Sequence, residues 1–141
     1  MNESTSIDQL KERLNMNISD IEAAISMGNL CYDSGDAPQA ILYYRHVLDL
    51  DPTLSGVRTD MGAMYWRNGD ISLAEQTFRD VIARDPSFGH AYVNLGQLLC
   101  KAKGNVAEAR SVWQQFIANN PEHEVAGKAR ELLWETATQI D

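Results

Sequence analysis

Several ingredients of chemistry and of membrane residence are missing from this chain. No apolar run approaches the ~18 residues that a membrane-crossing helix needs, so membrane insertion is not expected. There are two cysteines, Cys31 and Cys100; they form no CxxC pair and lie in apolar helical stretches, which reads as buried structural thiols rather than a disulfide or metal site. His46, His90 and His123 are isolated, without metal-site spacing, and read as surface or groove residues. A glycine-rich phosphate loop, a nucleophile elbow and an HExxH string are all absent. Glu131 and Glu135, one helical turn apart, read as a solvated face, because paired catalytic acids need a pocket. No enzyme, no metal and no cofactor is expected. Basic residues are also scarce, 12 against 20 acids for a net charge of −8, which is the wrong sign for displacing counterions from nucleic acid. The segment from Met1 to Ser6 has no basic or apolar stretch, so no signal peptide is expected, and the free thiols point to a reducing cytoplasm. The periplasm or a membrane tether is the alternative where an anchor has been cut away.

What is present suits one folded domain. A chain of 141 residues, 44% apolar and 23% charged, has ordinary globular composition and enough length for a real core. Its acid is uneven. Nine acids stand against Lys11, Arg13 and Arg45 up to Pro52, giving −6 there and leaving −2 for the rest. That half reads as a well-solvated surface or as a face for a basic partner.

The dominant pattern is a repeat. Gly28, Gly62 and Gly96 are spaced by 34; Ala40, Ala74 and Ala109 follow at 34 and 35, as do Pro52, Pro86 and Pro121. Tyr44, Phe78 and Trp113 each lie four residues after the repeated alanine. Small residues at the glycine and alanine positions let two helices approach closely, and the aromatic is expected to fill the wedge between neighbouring units. Gly35-Asp36, Gly69-Asp70 and Gly104-Asn105 end one helix and start the next, glycine taking the left-handed cap and Asp or Asn the orphan N–H groups. The third copy carries one extra residue, between Gly96 and Gly104. Helices are expected at about 7–16, 21–34, 38–50, 54–68, 72–84, 88–102, 106–119 and 123–139.

A 34-residue helix–turn–helix unit with these marks resembles the tetratricopeptide repeat (TPR) family. The resemblance is carried by Gly28, Tyr32, Ala40, Tyr44 and Pro52, by Gly62, Tyr65, Ala74, Phe78 and Pro86, and by Tyr92, Leu95, Gly96, Ala109, Trp113 and Pro121. It implies an all-α fold, a right-handed α-α superhelix, with repeats at 20–53, 54–87 and 88–122 in one domain spanning 1–141. Arg58, where the family has a large apolar residue, and Cys31 and Leu99, where it has tyrosine, are local departures. Ser6-Ile7-Asp8-Gln9 has a capping-box pattern and Ile7, Leu10 and Leu14 share a face, so 7–16 reads as an N-terminal capping helix. Val125, Ala129, Leu132, Leu133, Ala137 and Ile140 form the stripe of a C-terminal capping helix at 123–139.

On each unit's first helix the fourth, seventh, eighth and eleventh positions make the core stripe. The second, fifth, ninth, twelfth and thirteenth cluster about 140° away at ~100° per residue. In the TPR family that second stripe lines a concave groove which holds peptides. The resemblance therefore implies a peptide-binding groove of Ile25, Asn29, Tyr32, Thr59, Asp60, Ala63, Trp66, Arg67, His90, Val93, Asn94, Gln97 and Lys101. Tyr32 and Trp66 are either anchors for an apolar side chain or packing against the adjacent unit. Asn29, Asn94 and Gln97 can bond a peptide backbone. Chaperone-tail TPR domains clamp a terminal carboxylate with Lys, Asn, Lys and Arg where this chain has Ile25, Asp60, His90 and Asn94, so chaperone tails are not expected. Small acidic three-repeat relatives include bacterial secretion chaperones and modules that present apocytochromes for haem attachment; no motif here selects either. The expected partner is another protein or peptide, basic or apolar, held by an adaptor, scaffold or chaperone-like module. The alternative is a self-associating module, a possible homodimer. Trp134, off the core stripe, is either exposed for that purpose or leans back over Arg130.

Overall fold

The computed structural model describes residues 3–139. Among them are eight helices and no strand: α1 (Glu3–Met16), α2 (Ile21–Ser34), α3 (Ala37–Leu50), α4 (Ser55–Arg67), α5 (Ile71–Arg84), α6 (Gly89–Lys101), α7 (Val106–Asn119) and α8 (Ala126–Glu135). They fall into two compact units, Met1–Asp70 and Ile71–Asp141, the division lying between the two helices of the second repeat.

In the N-terminal unit the punctuation works as the sequence implies. Gly35 has φ 80, in the left-handed region, and the N–H of Asp36 reaches back to the Cys31 carbonyl at 2.9 Å. Asp36 then accepts from the N–H of Gln39, starting α3. Asp20 does the same for α2 through Ala23, and Arg13 grips its carboxylate with two bonds of 2.9 and 3.0 Å, tying α1 to the start of α2. Leu14, Ala23, Ala24, Met27 and Val47 form the core, with Ile7 and Leu10 packed against it. The helix α1 begins at Glu3, so Ser6 lies within it rather than capping it. Gly28 is needed for contact: a Cβ there would stand 2.5 Å from Cε1 of Tyr44, which is 1% exposed. Tyr44 therefore packs inside its own hairpin, between α2 and α3, and it also lies within electrostatic reach of Asp60 on α4. Arg58 is half-buried, and its Nη2 donates to the Pro52 carbonyl at 3.0 Å, which accommodates a charge at an apolar position of the pattern.

The C-terminal unit packs α5, α6, α7 and α8 around Phe78, Val81, Leu95, Leu98, Trp113 and Phe116. The extra residue is absorbed at the end of α6, where Asn105 N–H bonds the Leu99 carbonyl across six residues; Asp36 and Asp70 make the equivalent bond across five. A network joins α5 to α7: Glu75 accepts from Lys103 (2.7 Å) and Arg79 (2.9 Å), and Arg79 also donates to Glu108 (2.8 Å).

The last helix is shorter than expected, 126–135 instead of 123–139. At its start the ring Nδ1 of His123 accepts from the N–H of Val125, holding 121–125 as a turn. At its end Arg110 donates to the Leu133 carbonyl and to Oγ1 of Thr136, which itself donates to the Leu132 carbonyl. A cation thereby satisfies the helix's terminal acceptors. Thr136 is 5% exposed and takes the core position expected for Ala137, which is exposed; Ile140 lies outside the described residues.

Candidate functional site

The groove residues of the N-terminal unit come from α2 and α4. Ile25 is half-buried against the core cluster. Asn29 is exposed, but its Oδ1 accepts from the Tyr44 hydroxyl at 2.7 Å, leaving the NH2 outward. Tyr32 is half-buried; burial raises its pKa, the Asp60 charge adds to the rise, and Arg67 opposes it. Burial likewise holds the Tyr44 phenol well above the ordinary tyrosine range, with Asp60 next. Tyr32, Asp60 and Arg67 thus lie within electrostatic reach of one another. Ala63, Trp66 and Asp60 are half-buried and Arg67 is exposed. Thr59 departs from expectation: at 3% exposure it is in the core, its hydroxyl satisfied by the Ser55 carbonyl at 2.8 Å, so it lines no groove.

In the C-terminal unit the stripe on α6 borders two cavities. One, of about 310 Å³, is lined by His90, Val93, Glu124, Val125 and Lys128. The other, about 420 Å³, takes Gln97, Cys100 and Lys101 from α6 and Lys128, Leu132 and Glu135 from α8, with buried Trp113 contributing from α7. The Trp113 indole is set by Gly96, where a Cβ would lie 2.1 Å from Nε1, and by a 3.4 Å bond from Nε1 to the Val93 carbonyl. Asn94 and Gln97 are half-buried, and their side-chain amides make no hydrogen bond within the described residues. Cys31 and Cys100 are free and half-buried rather than fully buried; burial raises the Cys31 thiol pKa. Among the described residues no group of His, Cys, Asp and Glu is placed to hold a metal ion, and no helix is long and apolar enough to cross a membrane.

The α8 wall was missing from the sequence-based site, although a signal for it exists. Carrying the α6 stripe 90, 93, 97, 100, 101 forward by 35 residues, the spacing of Pro86 and Pro121, gives Val125, Lys128, Leu132, Glu135 and Thr136. All five line the cavities. The same shift puts Glu131 and Trp134 at positions equivalent to Gly96 and Leu99 of the core stripe. No helix covers that face of α8 among the described residues, and Trp134 is 83% exposed.

Tetratricopeptide repeats are matched over residues 15–54 and again over 59–124. No curated protein matches the chain in sequence. Among solved structures, MamA is 21% identical, with a TM-score of 0.73, over 89% of this chain and 75% of its own. The TPR2B domain of yeast Sti1, solved as a complex with pHsp70, is 19% identical, with a TM-score of 0.72, covering 85% of this chain and 98% of its own. The type III secretion translocator chaperone SycD of Yersinia enterocolitica is 24% identical, with a TM-score of 0.72, covering 84% and 92%. These likenesses place the fold in the all-α TPR superhelix class. Repeats of this kind mediate protein–protein interaction. From its 34-residue frame, its paired caps, its glycine–aromatic contacts and the two matched segments, the chain belongs to the tetratricopeptide repeat family.

Proposed function

We propose that this chain is a non-enzymatic interaction module that holds an extended segment of a partner protein along the stripe of its first helices, as an adaptor, scaffold or chaperone. One observation carries the reading: the Asn94 and Gln97 amides, unbonded within the described residues, stand on the helix that borders two open cavities. Side-chain amides so placed can donate to and accept from a peptide backbone without reading its sequence. In the N-terminal unit Asn29 can donate its amide N–H, and the half-buried Trp66 offers an aromatic surface to an apolar side chain. The two free thiols suit a reducing compartment, the cytoplasm.

The test is capture of a partner from the native cell, mapping of the bound segment, and titration of that segment with the full chain and its variants. Trp66→Ala, Asn94→Ala and Gln97→Ala are each expected to weaken binding about fivefold or more. Unchanged affinity in all three, with the fold intact by circular dichroism, refutes the groove. A second reading, self-association through α8, is favoured by the exposure of Trp134 on a face whose counterparts on the earlier helices are covered. Light scattering across a dilution series decides it: a monomer throughout removes that reading.

A further inference from the structure

The charges of the C-terminal unit are unevenly satisfied. Arg79 and Lys103 bond Glu75, Arg84 bonds Asp80, and Lys128 lies 3.5 Å from Glu131. Arg110 and Arg130 donate to the Leu133 and Pro121 carbonyls. Lys101 alone, among the described basic residues of this unit, makes neither an ion pair nor a hydrogen bond. It stands at the rim of the 420 Å³ cavity, beside Gln97 and across from Lys128, whose apolar floor is Trp113 and Leu132. Glu135 lies on the same wall as Lys128 and opposes an incoming anion. The neighbouring cavity presents Val93 and Val125, both buried, as an apolar seat.

We infer that the segment held by this unit carries an aspartate or glutamate side chain that docks against Lys101, preceded or followed by an aliphatic side chain seated between Val93 and Val125. This rests on the peptide-groove reading and names the partner's chemistry. The seats are centred near residues 91–92 and 99 of α6, about 12 Å apart at 1.5 Å per residue. An extended chain covers that distance in about three to four residues. The unpaired cation supplies attraction for one sign of charge, and Glu135 limits the seat to a single carboxylate. The segment is thus locally acidic even though the chain as a whole is at −8.

The probe is an array of octapeptides, acetylated and amidated so that only side chains can offer a carboxylate, presented to the full chain. Bound peptides are expected to share an aliphatic residue three or four positions from Asp or Glu. Lys101→Glu should weaken the best of them about three- to tenfold and shift the preference at that position to Lys or Arg, with Lys101→Ala intermediate. Glu135→Gln should tighten the same peptides about two- to threefold. Peptides that bind through Asn94 and Gln97 yet show no acidic preference, a basic one, or indifference to Lys101 overturn the inference and leave the groove standing. Absence of any bound peptide, with folded protein confirmed, removes both.

Discussion

Replacing Gly96 with alanine tests the packing that builds the site. The new Cβ would lie 2.1 Å from Nε1, 2.3 Å from Cε2 and 2.7 Å from Cζ2 of Trp113. A rigid indole cannot bend away one atom at a time, and this one is 1% exposed. Overpacking of this kind costs about 1–3 kcal/mol. Shifting the ring also strains the bond to the Val93 carbonyl, which contributes about 1 kcal/mol. Alanine's better helix propensity returns about 1 kcal/mol. The expected net loss is therefore about 1–3 kcal/mol, a fall in melting temperature of about 3–9 °C for a chain of this length. The assay is thermal unfolding followed at 222 nm. Gly127→Ala serves as a control, since a Cβ there meets nothing within 4 Å and should raise stability slightly. Trp113→Phe on the Gly96→Ala background should recover part of the loss, the smaller ring leaving room. If Gly96→Ala melts at or above the unaltered chain, the glycine–indole contact is not what sets the spacing of α6 and α7.

Three further outcomes follow from the same geometry. The bonds from Lys103 and Arg79 outweigh partial burial and hold the Glu75 carboxyl below the ordinary carboxylate range, so its stabilising effect is present at neutral pH and lost as pH falls through its lowered value. Glu75→Gln should lower the urea midpoint at pH 7 by an amount worth a few tenths to about 1 kcal/mol, with the gap closing in acid; a pH-independent gap counts against the network. Arg110→Met should loosen the end of α8, seen as faster hydrogen exchange at 132–136 with α2 unaffected, and unchanged exchange there would show that the cap is dispensable. Trp134→Ala should change stability by less than about 0.5 kcal/mol, because its side chain stands in solvent; a larger loss in urea unfolding would mean the indole is covered.

How much could be read in advance divides along the line between local and distant causes. The caps at Gly35-Asp36 and Gly104-Asn105 are local, and each lies where its residue types require. The glycines at 28 and 96 were legible by spacing, though their partners were not. Tyr44 and Trp113 each pack on the glycine of their own hairpin, where the missing Cβ leaves room for the ring. Thr59 was misplaced because a hydroxyl can satisfy itself on the carbonyl four residues back, which lets a polar type enter a core. The end of α8 was misplaced because its terminator, Arg110, lies 23 residues upstream of the carbonyl it caps. Stripe arithmetic located the α6 side of the cavities; the α8 side was overlooked because that helix was read as a capping helix and the 35-residue shift was not carried into it.

The Tyr44–Asn29 bond biases how the Asn29 amide is presented. With its oxygen committed to an interior phenol, Asn29 turns only N–H groups outward. In the groove proposed above, a main-chain carbonyl is then the group best matched to that point of α2. Tyr44→Phe would free the amide to rotate and would relax that preference while leaving the ring's packing on Gly28 in place.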